Sequence, residues 1–175
     1  MHPNGRDKDM KNRLMQPSLA LVALVAGFAS AATAQSNSGS ITATAVVQQP
    51  INVIGASDLN FGNVFPGVPA TVALADAGAG RFDVTGQASA PVNLTFTALP
   101  TDLNNSGNLL PVSFASGYNT VNVPGGATAF APGSGASTNL SGTGALFVFL
   151  GGTVTPAVNQ VAGTYNGTVT LQVTY

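Results

Sequence analysis

The stretch Gly163 to Tyr175 reads GTYNGTVTLQVTY, and from Thr168 onward it alternates without a fault. Val169, Leu171, Val173 and Tyr175 fall on one face; Thr168, Thr170, Gln172 and Thr174 fall on the other. A period of two in β-branched and aromatic residues predicts a strand with one buried and one solvated face. A strand with nothing after it has to pair with something earlier in the chain.

Earlier stretches supply candidates. Val92 to Ala98 (VNLTFTA) alternates with Val92, Leu94, Phe96 and Ala98 inward, and Pro100 stops it. Thr71 to Ala75 and Arg81 to Thr85 alternate across a Gly-Ala turn, and Leu59 to Phe65 precedes the turn dipeptide Pro66-Gly67. Ile41 to Val47 (ITATAVV) and Ile51 to Ile54 read as two short strands separated by Pro50, which cannot donate to a ladder. Pro111 to Ala115 and Thr120 to Val123 are shorter candidates, and a further short strand is expected near Val154. Leu146 to Leu150 (LFVFL) is a continuous apolar run, as expected of a central strand buried on both faces. Asp102 to Asn108 reads as a turn, and Pro124 to Gly144 as a long surface loop of small residues anchored only by Phe130 and Leu140. No helical spacing persists for ten residues beyond the first 34. The expected fold is all-β, an antiparallel sandwich of the immunoglobulin-like kind, in which Tyr165 either hydrogen-bonds across a corner or is simply half-buried.

The amino-terminal residues read differently. Lys11 and Arg13 precede an apolar run, Leu19 to Phe28, and Ala32-Thr33-Ala34 suits cleavage before Gln35. Residues 1–34 therefore read as a secretory signal peptide, with Met10 a possible start. The apolar run is about half the roughly 20 residues of a bilayer span, so no membrane span is expected after cleavage. Gln35 to Ser40 (QSNSGS) reads as a flexible arm, and residues 41–175 as a single domain.

Residues 35–175 hold only Asp58, Asp76, Arg81, Asp83 and Asp102 as charged side chains, a net charge of −3, with no Lys, Glu, His, Cys or Trp. Catalytic bases and nucleophile pairs, metal ligands and cofactor-binding motifs all need residue types that are missing or isolated here, so no enzyme, cofactor or metal is expected. Asp76, Arg81 and Asp83 read as a solvated turn and strand edge. One Arg gives nucleic acid no electrostatic hold. Gly133-Ser-Gly135 and Gly142-Thr-Gly144 lack the Lys and the helix of a phosphate loop. A surface of Thr, Ser, Asn, Gln, Ala and Gly has little charge to keep copies apart, which suits self-association.

AGTYNGTVTLQVTY at Ala162 to Tyr175, DLNFGNV at Asp58 to Val64 and LFVFLGGTV at Leu146 to Val154 together resemble a bacterial family of secreted fimbrial-type proteins known as a domain of unknown function. That family is similar to spore coat protein U-like domains and to the pilins of archaic chaperone-usher systems. The resemblance implies a pilin-like sandwich that lacks its final strand and is assembled by donor-strand complementation, with a periplasmic chaperone and an outer-membrane usher as partners. It would be secreted through the periplasm to the cell surface as a non-enzymatic structural subunit of a fimbria or envelope coat. On this reading the donor strand is Ile41, Ala43, Ala45 and Val47, and the acceptor edge is Val169, Leu171, Val173 and Tyr175. Only Ile41 and Val47 bring large side chains to the donor face, each contributing about 1.5–3 kcal/mol on burial.

Three alternatives stay open on the sequence. Ile41 to Val47 folds back as the domain's own first strand, giving a closed monomer. The protein is a monomeric secreted adhesin or binding module that uses Pro124 to Gly144. Or the aromatic-ended final strand closes a small outer-membrane β-barrel.

Overall fold

The computed structural model describes residues 35–175, and the signal-peptide reading of residues 1–34 lies outside them. The chain divides into two units, residues 1–44 and 45–175. In the first unit, residues 35–44 carry no helix or strand and are exposed.

The second unit is all-β among the described residues. Its strands are β1 (Asn52–Ser57), β2 (Ala70–Val72), β3 (Gly80–Thr85), β4 (Pro91–Ala98), β5 (Asp102–Asn105), β6 (Asn108–Asn119), β7 (Thr128–Phe130), β8 (Ala136–Asn139), β9 (Ala145–Val154) and β10 (Thr170–Thr174). They make two antiparallel sheets. The larger runs β1-β3-β9-β6-β5, with β2 on β9 and β7 on β6; the smaller runs β10-β4-β8. Alternation explains how they stack. Val84 of β3 and Leu146 and Val148 of β9 meet Val92 and Leu94 of β4 and Leu171 of β10 in one buried cluster, so each sheet turns its apolar face to the other. Phe82, Phe96, Tyr118 and Phe130 close one flank of that cluster, Phe96 and Phe130 stacked with ring centroids 6.0 Å apart. The expected antiparallel sandwich is the observed fold. The described strands form two open sheets and not one closed barrel.

The long apolar strand β9 is central, as its composition requires. β3 and β2 line one edge and β6 the other, and Gly151 and Gly152 let both neighbours approach: a Cβ on Gly151 would strike the Val72 carbonyl oxygen, and one on Gly152 that of Ser113. β9 therefore continues through the glycines to Val154, where a separate short strand was expected.

Five stretches depart from the sequence reading. Ile41 to Val47 forms no strand, and Val46 and Val47 are exposed; the first strand begins only at Asn52, past Pro50. Asp102 to Asn108 is a hairpin. Ser106 and Gly107 at its tip have φ of 50° and 91°, the left-handed pair that a two-residue turn between twisted strands needs. Pro111 to Ala115 lies within the twelve-residue β6, and Thr120 to Val123 lies beyond its end. Pro124 to Gly144 carries β7 and β8, because Phe130 and Leu140 pull the small-residue chain onto the core. The segment Leu59 to Phe65 pairs with no strand.

Candidate functional site

The larger sheet is longer than the smaller one, and where β10 has not yet begun its inner side is left open. A groove of about 900 Å³ results. Leu110 and Phe114 of β6, Leu150 and Val154 of β9, Phe82 of β3 and Leu103 of β5 line it. Two irregular segments form its walls. One follows β1 and contributes Leu59, Phe61 and Val64; the other, 160–169, leads into β10 and contributes Tyr165 and Val169. Asp58 is the single charged side chain in the lining.

The second wall is held by polar contacts to its neighbours. Asn104 and Asn166 exchange both main-chain hydrogen bonds, at 2.9 and 3.0 Å, tying the wall to β5. Tyr165 Oη donates to the Val161 carbonyl at 2.7 Å and accepts from Gln160 Nε2 at 2.6 Å; the same nitrogen reaches the Leu109 carbonyl at 3.0 Å. The corner hydrogen bond open to Tyr165 on the sequence is present, and it shapes the groove. The groove's walls are thus fixed by main-chain and side-chain hydrogen bonds, while its lining mixes apolar side chains with polar atoms in about equal share.

β10 pairs with β4 along one edge, and no described strand pairs its other edge. Its register puts Leu171, 7% exposed, and the half-buried Val173 into the core, with Thr170, Gln172 and Thr174 outward. Of the four residues of the expected acceptor edge, Val169 lines the groove, Leu171 and Val173 are used by the chain's own core, and Tyr175 packs at the far end. A strand added here would gain the main-chain edge of β10 and the groove beside Val169, not the side chains of Leu171 and Val173. The expected donor residues stand apart from any ladder: Ile41 is 97% and Val47 93% exposed, and Ala43 and Ala45 are exposed between them.

The charged cluster of the sequence separates. Arg81 Nε meets Asp83 Oδ1 at 2.7 Å and Arg81 Nη1 meets Asn122 Oδ1 at 3.2 Å, whereas Asp76 Oδ2 accepts from the Ala73 amide in a turn. No group of three potential metal-ligating His, Cys, Asp or Glu side chains occurs among the described residues.

The sequence reading missed the groove's lining because those residues come from six separate stretches, and Leu103 and Leu110 lay in or beside what read as a turn. The available signal was the apolar residues flanking Ser106-Gly107, which is the pattern of a hairpin.

A family model described as Domain of unknown function (DUF4402) matches residues 51–175, beginning just after Pro50. No curated protein matches the chain. Solved structures similar to it include the CsuC-CsuE chaperone-tip adhesion subunit pre-assembly complex from archaic chaperone-usher Csu pili of Acinetobacter baumannii, at 17% identity and a TM-score of 0.40. That alignment covers 73% of this chain and 40% of the other, so the chain spans well under half the length of the chain it matches.

Proposed function

The chain belongs to the DUF4402 family, and we propose that this member is a non-enzymatic structural subunit of a surface fimbria or envelope coat, polymerised when the segment Ile41–Val47 of one copy enters the groove of the next. The observation that carries this is the pairing of a groove floored by apolar side chains with an unpaired strand edge on one body. An added strand satisfies both at once: its main chain bonds to the free edge of β10, and alternate side chains cover Val169, Phe61 and Leu103. The groove is large for a small-molecule site, near the top of the roughly 300–1,000 Å³ range.

The arm suits the role of occupant. Ile41 and Val47 stand in water, and each gains about 1.5–3 kcal/mol on burial. The two alanines between them leave the main chain to supply much of the remaining affinity.

An open edge beside apolar surface aggregates unless covered, so the subunit needs a cover before assembly. A periplasmic chaperone fills that role, an outer-membrane usher then exchanges it for the next subunit's arm, and the polymer resides at the cell surface. The test uses a variant lacking residues 40–47 and a synthetic peptide of residues 40–48. The peptide is expected to raise the variant's melting temperature and to protect the amides of β10 from exchange. A peptide without effect on either contradicts the proposal.

A further inference from the structure

The arm is joined to its own body with almost no slack. The Gln49 carbonyl accepts a hydrogen bond from the Tyr175 hydroxyl, the Gln49 amide donates to Gln87 Oε1 at 3.3 Å, and the Gln87 amide donates to Tyr175 Oη at 2.8 Å. The chain is therefore fixed to the sandwich at Gln49, two residues after Val47. Two Cα–Cα steps span at most about 7 Å.

The place of that anchor matters. Gln87 follows Thr85, which pairs with Asn52 and Ala145 at one end of the large sheet. The groove runs from Phe82 and Leu150 toward the other end, where Val154 pairs with Ala70 and Val112. Ala145 to Val154 is one continuous strand, so the two ends of the sheet are about 30 Å apart. A body that receives an arm at one pole and emits its own from the other adds copies head to tail, which gives a contact that does not close on itself.

At the groove pole the two loops beside β2 and β9 carry apolar side chains that the groove does not use. The Gly67 amide donates to the Ala157 carbonyl at 3.0 Å, and this bond holds the two loops together. Phe65 is 70% exposed, Val68 56% and Val158 87%, while Val64, Pro66 and Pro156 from the same loops turn into the groove.

We infer that Phe65, Val68 and Val158 form a second, body-to-body interface, whose partner is the arm-bearing pole of the next copy. The inference rests on the arm-in-groove reading above. Once Val47 of a donor copy lies in the groove, the anchored Gln49 brings that copy's own pole to within about 7 Å of the mouth. The rim is the apolar surface that meets it. Consecutive bodies are thereby clamped, not strung on a flexible linker.

The chain has no cysteine, so single thiols report cleanly on cover. Val158→Cys, Val68→Cys and, as a control on the outer face of β4, Thr95→Cys are made in the full chain. Monomer and polymer fractions of each preparation are separated by sedimentation and treated with a thiol reagent. The rim thiols are expected to label about tenfold more slowly in polymer than in monomer, and the Thr95→Cys thiol at equal rates in both. Equal rates at both rim positions in a preparation that does polymerise overturn the interface and leave the arm-in-groove reading standing. A preparation with no polymer at all contradicts the arm-in-groove reading and takes the interface with it.

Discussion

Tyr175 and Gln49, 126 residues apart in sequence, are joined by a hydrogen bond from the tyrosine hydroxyl to the glutamine carbonyl, and the hydroxyl oxygen in turn accepts from the Gln87 amide. One side chain thus fixes the point at which the amino-terminal segment meets the sandwich. The expected aromatic end of the last strand serves to fasten the chain's entry to β1.

Replacing Tyr175 with Phe keeps the ring and removes both hydrogen bonds. The expected cost is about 1 kcal/mol per bond lost. Urea unfolding reads it, and hydrogen exchange at residues 48–51 should accelerate; unchanged exchange there would show that the hydroxyl does not hold the segment.

The core prediction separates the two faces of β10. Leu171→Ala removes a buried side chain that packs with the sheet-to-sheet cluster, and about 2–5 kcal/mol of stability goes with it. Gln172→Ala, on the exposed face, should change stability by less than about 0.5 kcal/mol. The midpoint of denaturant unfolding distinguishes them.

β9 depends on glycine where its neighbours come close. Gly151→Ala drives a methyl group against the Val72 main chain, which cannot move aside as a flexible side chain would, and should cost about 1–3 kcal/mol. Gly125→Ala, with open space around it, should be close to neutral. Equal effects at the two sites would contradict the packing of β2 against β9.

Charge has little part in the assembly proposed. The Arg81–Asp83 pair is partly exposed, so Arg81→Gln should cost no more than about 1 kcal/mol. Polymer formation should be nearly flat between low and high salt, because the groove lining carries Asp58 as its sole charge. A charge placed in the groove acts differently: Phe61→Asp buries an unpaired carboxylate under any inserted strand and should abolish polymers, read by sedimentation.

The elements written in strict alternation were legible in the sequence. Val92 to Ala98 and Thr170 to Thr174 appear with their faces as expected, because two sheets stacked on one core leave each strand one dry side. LFVFL announced a central strand for a different reason: side chains on both of its faces are buried or half-buried. The groove was not legible, since it is made by what the smaller sheet does not cover, and sheet lengths follow from pairings far apart in sequence. Ser106-Gly107 read as a turn and hid the hairpin around it, because Asn-rich strands lack the β-branched residues that mark a strand locally. β7 and β8 were hidden in the same way by Gly, Ser and Ala, whose strand character here comes from pairing with β6 and β4. Ile41 to Val47 misled in the opposite sense: its alternation is that of a strand, yet it joins no ladder among the described residues.

The central claim is that Ile41–Val47 of one copy completes the groove of another. Its most direct test is the sedimentation profile and electron micrographs of the purified full chain beside those of a variant lacking residues 40–47. Long polymers from the full chain and none from the variant are predicted. A full chain that remains monomeric and unfolds cooperatively without any partner, or a variant that polymerises as well as its parent, would contradict it.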